Sequence, residues 1–249
     1  PVDETDVRSN LFLDQVLGAE IHIVRMLEGE TEDDADERAL QMAAIRRQEL
    51  GKEGHVCYDV PMGGANRVGS IGFADGYLEL TQQMQALGKK ADFLYHATGT
   101  AGTMAGLAAG RKLIGSSSRI VSVNVSKKDD SYLKKAADLA NQTLAYLGVT
   151  VVSVDPSADV EREGEIYQPG YEMPGKESTE AIKYLAQREG LFVDPVYSGK
   201  ALAALIAHVK SGKIPQGSCV VFWHTGGATA LFAEHEIVGD LSNTLIYDH

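Results

Sequence analysis

Short apolar runs recur along this chain of 249 residues, and each is followed by a stretch with helical spacing or a glycine-rich turn. That alternation constrains the fold more than any other feature. The runs are AEIHIV at 19–24, DFLYH at 92–96, RIVSVN at 119–124, VTVVSV at 149–154 and SCVVFW at 218–223. Helical spacing over 31–50, 104–114, 131–147, 179–188 and 200–210 predicts the elements between them. Strands that read as continuous apolar runs are buried on both faces, and helices that follow them supply the cover. The pattern predicts an α/β fold, a doubly wound, mostly parallel sheet with helices on both faces. Ligands of such sheets bind outside the carboxyl ends of the strands, so the loops that follow strands are where chemistry is to be sought.

The ends of the helices are also written in the chain. Thr31 and Asp34 form a capping-box pattern inside an acidic run, Glu28 to Arg38, that holds seven acids and one base. Acids in a first turn suit the helix dipole, so this run reads as a solvated helix start and not as a cation site. Gly51, Gly190 and Gly212 are the predicted stops.

Charge and composition exclude several classes. A formal charge of −12 with a pI near 5.0 argues against a nucleic-acid footprint, which needs clustered Lys and Arg. No window approaches 18 consecutive apolar residues, and Pro1-Val2-Asp3-Glu4 has neither the basic nor the apolar region of a leader. Cys57 and Cys219 match no metal or redox spacing and read as buried free thiols in a reducing compartment, with the cytoplasm as the expected location. Pro1 is not an initiator methionine, which implies a processed, truncated or cleaved chain.

Four loops hold candidate chemistry. Thr98-Gly99-Thr100-Ala101-Gly102-Thr103 leaves a strand and opens a helix. Glycines turn backbone N–H groups inward, the helix N-terminus adds partial positive charge, and threonine hydroxyls add donors, so the loop is either a phosphate cradle or a plain strand-to-helix turn. It is neither a dinucleotide fingerprint nor a Walker loop. Trp223-His224-Thr225-Gly226-Gly227 sits at another strand end, where Thr225 either presents a hydroxyl to a flat ligand or caps a helix. In Asp194-Pro195-Val196-Tyr197-Ser198-Gly199-Lys200, Ser198 is a candidate cap, and Tyr197 is either a proton-transfer group or a packed aromatic. Pro61-Met62-Gly63-Gly64-Ala65-Asn66, with Gly69 and Gly72 after it, implies close packing or ligand approach. His96 and His224, flanked by apolar residues, read as packed histidines.

Taken in order, LDQVLGAEIHIV at 13–24, PMGGANRVGSIGF at 61–73, ATGTAGTMAGL at 97–107, DPVYSGKAL at 194–202 and HTGGATALF at 224–232 resemble D-cysteine desulfhydrase and its relatives. With 1-aminocyclopropane-1-carboxylate deaminase, these are fold-type II pyridoxal-phosphate enzymes of the tryptophan synthase β group. The resemblance spans essentially the whole chain. It implies pyridoxal 5'-phosphate as cofactor, with Thr98, Gly99, Thr100, Ala101, Gly102 and Thr103 around its phosphate and Thr225 and Gly226 at its pyridine nitrogen. It implies Tyr197 as the catalytic residue near substrate or cofactor. A neutral hydroxyl at the nitrogen weakens the ring as an electron sink and favours elimination. In the cyclopropane deaminases a glutamate follows the corresponding tyrosine; here Ser198 does. The implied reaction is therefore β-elimination from a small amino acid, releasing pyruvate, ammonia and either sulfide from D-cysteine or sulfite from cysteate. Relatives are usually homodimers.

One departure stands out. The family's Schiff-base lysine lies in a Gly-Gly-Asn-Lys stretch, followed later by Gln-Ser-Asn-His, and neither is present here; in 63–67 arginine follows the asparagine. The resemblance implies that residues 1–50 are the remnant of a smaller N-terminal domain and 51–249 the large cofactor-binding domain. The lysine would then lie on a cleaved N-terminal piece, on a partner chain, or on a segment preceding Pro1, and the separated chain would expose an apolar patch that calls for that partner. Two other readings compete: a non-catalytic subunit that binds the cofactor without the lysine, and a nucleotide binder of Rossmann type.

Overall fold

The computed structural model describes residues 7–126, 131–163, 170, 174–234 and 237. Pro1, and with it the chain start, lies outside these residues. Two compact units divide the chain, Pro1–Val60 and Pro61–His249.

The first unit holds α1 (Ser9–Val16) and α2 (Glu32–Lys52). The predicted capping box forms: Asp34 N–H donates to Thr31 Oγ1 at 3.3 Å, and Thr31 N–H donates to Asp34 Oδ2 at 2.9 Å. Helix α2 runs through Gly51, and the left-handed residue beyond its end is Gly54, at φ +93°. The expected strand at 19–24 does not form. Its side chains tie it to α2 instead, since Arg46 donates to both carboxylate oxygens of Glu20 at 2.7 and 2.8 Å. An extended segment without a ladder partner does not make a sheet. The expectation of two buried thiols also fails, because Cys57 is exposed in an irregular stretch beside the equally exposed Val56 and Tyr58, and Cys219 is half-buried.

The second unit is built on four parallel strands, β1 (Phe93–Thr98), β2 (Arg119–Asn124), β3 (Arg162–Glu163) and β4 (Val220–Phe222), in the order β3-β2-β1-β4. Its helices are α3 (Gly69–Ala86), α4 (Gly102–Leu113), α5 (Ser131–Tyr146), α6 (Lys176–Glu189), α7 (Ser198–Lys210) and α8 (Ala228–Leu231). Successive strand residues point to opposite faces, and both faces are apolar. Leu94 and Ile120 pack with Tyr77 of α3 and Leu107 of α4, while Tyr95, Ala97, Val121 and Val123 pack with Ala201 and Ala204 of α7. The sheet is thus covered on both sides, as the continuous apolar runs require.

Two elements differ from the sequence expectation. Residues 149–154 form no strand, and at Val154 the side chain of Asn141 takes both backbone bonds that a ladder would use. Asn141 Nδ2 donates to Val154 O at 2.9 Å, and Val154 N–H donates to Asn141 Oδ1 at 2.8 Å. The strand beside β2 is the short β3, farther along the chain. The glycine-dense stretch after Asn66 is a helix, α3, in which Gly69 and Gly76 admit close neighbours. A Cβ on Gly76 would lie 3.1 Å from Trp223.

Helices α3 and α4 cross through glycines spaced four apart. A Cβ on Gly106 would overlap Ser70 O and come within 2.5 Å of Phe73 Cβ, and one on Gly110 would meet Ala74 O and Tyr77 Cβ at 2.7 Å. Ser70 Oγ donates to Gly102 O across the same seam at 3.2 Å.

His96, on β1, is fully buried, with Nδ1 2.8 Å from Ala97 O and Nε2 2.7 Å from Ser122 Oγ. Burial pushes its pKa from 6.5 down to about 4, against the smaller opposing pull of the Ala97 carbonyl. The unfolded chain takes up this proton below its ordinary pKa while the folded chain does not, so stability is full above about 6.5 and falls as pH drops toward 4. The loss is about 3 kcal/mol across that window. Urea midpoints at about pH 7 and about pH 4 should show it, and His96→Asn should flatten the difference; an equal slope in the variant assigns the acid sensitivity to other groups.

No helix among the described residues is long and apolar enough to cross a membrane, and no cluster of metal-ligating side chains occurs among them.

Candidate functional site

Strand order places the site. From β1 the chain crosses over α4 to β2 on one side, and after α7 it returns to add β4 on the other. The loops leaving β1 and β4 therefore diverge at the carboxyl edge, which is the place where doubly wound sheets form a crevice.

The loop after β1 holds the six residues singled out as a phosphate cradle. Ala101 adopts φ +77°, a left-handed conformation that turns the chain sharply into α4. No side chain caps the first turn of α4, which leaves its N–H groups and partial positive charge to an anion. Gly99 and Thr100 are half-buried, as is Thr103, while Ala101 and Gly102 are buried against the core. A Cβ on Gly102 would lie 3.2 Å from Ala65 Cα, so the Pro61–Asn66 loop packs directly on the cradle.

Thr98 behaves differently from Thr100 and Thr103. Its hydroxyl is buried and donates to Tyr132 Oη at 2.9 Å, and Tyr132 in turn donates to Gly99 O at 2.9 Å. Burial pushes the Tyr132 phenol up, which keeps it a neutral donor. The hydroxyls at an anion's disposal are therefore those of Thr100 and Thr103, and Tyr132, which sequence reasoning missed, braces the loop from behind.

Tyr197 lies at the start of α7, 38% exposed, and a Cβ on Gly99 would sit 3.5 Å from its ring carbon Cε1. The packed-aromatic and site readings thus meet in one place, since the ring rests on the cradle. Ser198 is not the cap. The carboxylate of Asp194, itself buried, accepts from the N–H groups of Val196 (2.9 Å), Tyr197 (2.6 Å) and Ser198 (2.7 Å). Ser198 Oγ accepts from Asp194 N–H at 3.0 Å, and its proton lies between the Asp194 carboxylate and Gly226 O, the latter at 3.3 Å. One turn on, Lys200 is fully buried, its pKa lowered by burial, and its ammonium donates to Gly170 O at 2.6 Å.

The loop after β4 is exposed from His224 to Gly227. Thr225 does not cap α8, whose N-cap is Gly227 at φ +88°. His224 is not packed in the core but bonds through both ring nitrogens to backbone groups. The site residues therefore come from three segments, and Asp194, Ser198 and Gly226 stitch two of them together. Asp194 and Tyr132 carried a signal in the sequence, an acid four residues before a helix start and a tyrosine at a helix start, but only the fold shows what they touch.

Comparison with known proteins decides the family. The profile of the pyridoxal-phosphate dependent enzymes matches residues 2–226. The chain belongs to this family. Its cofactor is accordingly pyridoxal phosphate, and its fold that of the fold-type II enzymes. Among solved structures, an ACC deaminase homologue superimposes with a TM-score of 0.78 at 27% identity, covering 95% of this chain and 67% of that one. A threonine deaminase from T.th. is 21% identical over 86% of this chain and 64% of its own, with a TM-score of 0.47. A fungal L-serine ammonia-lyase from Rhizomucor miehei is 15% identical over 68% of this chain and 55% of its own, with a TM-score of 0.44. The last two likenesses are too distant to carry an argument. The uncapped turn of α4 and the left-handed Ala101 suit the phosphate of the pyridoxal-phosphate family's cofactor, and the exposed Thr225 at the neighbouring strand end suits a flat ring beside it.

Proposed function

We propose that this chain serves a pyridoxal-phosphate dependent lyase that removes the β-substituent and amino group of a small amino acid such as D-cysteine, which with water gives pyruvate, ammonia and sulfide. One observation carries the reading. The Tyr197 ring rests on Gly99 at the mouth of the uncapped α4 turn, which puts a phenol beside the place where a bound phosphate would begin. Pyridoxal phosphate supplies the electron sink that acidifies the Cα–H of an amino acid joined to it.

The remaining work falls to side chains. Backbone N–H groups of 99–103, with the hydroxyls of Thr100 and Thr103, would hold the phosphate, and Thr225 with Gly226 would orient the ring by offering it a neutral hydroxyl. Tyr197 Oη passes a proton to the departing sulfur. Ser198 supports elimination over ring opening, because its hydroxyl is engaged by Asp194 and Gly226 and brings no carboxylate to the pyridine nitrogen. We place the lysine that anchors the cofactor outside these 249 residues, on a preceding segment or a partner chain, since no lysine here stands in Gly-Gly-Asn-Lys.

The test is an assay of the natively assembled protein with three substrates. Sulfide from D-cysteine is the expected product; sulfite from cysteate or 2-oxobutanoate from 1-aminocyclopropane-1-carboxylate would move the assignment within the family. Tyr197→Phe should lower turnover by about 100-fold, the ordinary scale of a proton-transfer group, with cofactor affinity nearly unchanged. Unaltered turnover removes Tyr197 from the mechanism.

A further inference from the structure

The loop that carries Thr225 has few means of holding its shape. It lies at the surface, it contains two glycines at positive φ, Gly226 and Gly227, and the four-residue helix after it starts without a side-chain cap. Ser198 Oγ reaches Gly226 O from α7 at 3.3 Å, and a second tie comes from within the loop, from His224. Its Nδ1 lies 2.9 Å from Gly226 N, and its Nε2 lies 2.8 Å from Phe192 O.

A backbone amide is only a donor and a backbone carbonyl only an acceptor, so the two contacts dictate the state of the ring. Nδ1 must carry a lone pair to receive the Gly226 N–H. Nε2 must carry the hydrogen that goes to Phe192 O. Only the neutral imidazole protonated on Nε2 satisfies both. Phe192 stands two residues before Asp194, the carboxylate that caps α7 and sets Tyr197 and Ser198. The ring therefore spans from the loop after β4 to the segment that leads into α7.

We propose that His224, as this Nε2-protonated tautomer, is a positioning residue that fixes the Thr225–Gly226 loop against the segment leading to Tyr197. Both of its bonds go to backbone groups, so it acts through Gly226 and Phe192. The bridge stands independently of the function proposed above, and only its effect on cofactor affinity rests on the reading of Thr225.

Three measurements on the full chain test it. Nitrogen-15 NMR of labelled histidine at about pH 8 should show His224 with a bare Nδ1 and a protonated Nε2; the opposite tautomer, or an averaging ring, overturns the proposal, and this needs no variant. Hydrogen exchange at the Gly226 amide should quicken by about tenfold in His224→Phe, which removes that amide's acceptor together with the bond to Phe192 O. In His224→Asn the exchange should return close to wild type, because an asparagine oxygen accepts the N–H two residues on. Failure of asparagine to restore protection would mean that the ring acts by bulk alone and overturns the assignment. Titration with pyridoxal phosphate, followed by cofactor fluorescence, should then show weaker binding by about tenfold in His224→Phe and by less in His224→Asn. Thr225→Val separates the two claims: unchanged cofactor affinity in that variant, with the His224 tautomer as stated, sinks the role of Thr225 and leaves the bridge standing.

Discussion

Gly106→Ala is expected to destabilise the protein by about 3 kcal/mol or more, at the upper end of what overpacking costs. A methyl group there overlaps Ser70 O and crowds Phe73 Cβ, and neither atom is the loose end of a flexible side chain. Either α3 or α4 has to move. Because α4 begins at Gly102, in the cradle itself, the displacement should reach the anion site, and cofactor affinity should fall along with the unfolding midpoint in urea. Gly72→Ala is the control. It lies in α3 with nothing within 4 Å of its would-be Cβ, so alanine there should be neutral or stabilising by about 0.5–1 kcal/mol. Equal midpoints for the Gly106 variant and wild type would mean that the seam is looser than the crossing of these helices implies.

Asp194→Ala carries the second large effect. The carboxylate accepts three backbone N–H groups and faces the Ser198 hydroxyl, and it is 1% exposed. Removing it strands buried donors, each costing about 1–3 kcal/mol, with the lower figure suited to the half-buried Val196 and Tyr197 amides. A total of about 3 kcal/mol or more is expected in thermal or urea unfolding. The same change frees the Ser198 hydroxyl from its acidic partner and loosens the start of α7, where Tyr197 sits. Asp194→Asn keeps an acceptor and should recover about half of the loss. A drop confined to activity, with stability intact, would contradict the capping role.

Much of this architecture is legible in the residues because local chemistry and tertiary packing agree. Thr31 and Asp34 cap a helix wherever they are placed at that spacing, and Gly190 ends α6 in the left-handed conformation that its lack of a side chain invites. The runs at 92–96 and 119–124 are apolar on both faces and lie in the neighbouring central strands β1 and β2. Where reading failed, a nonlocal partner decided. Residues 149–154 have the composition of a strand, yet Asn141, on another element, claims the backbone of Val154. Helix α3 was hidden by glycines whose purpose shows only against Trp223 and Gly64. At the site, loop composition pointed to the anion cradle, but the inward turn of Thr98 and the span of His224 depend on Tyr132 and Phe192, which lie far off in sequence.

The strand order also bears on how the molecule assembles. His96 and Ser122, on the neighbours β1 and β2, are 26 positions apart, whereas Asp92 and Cys219, which bond where β4 joins β1, are 127 apart. Loop-closure entropy grows with the logarithm of that separation, which makes the β4 closure costlier by about 1.4 kcal/mol. The junction of β1 and β4 is therefore the costliest of the described strand pairings to close, and a nascent chain carries an unfinished ligand site until Val220–Phe222 have been made.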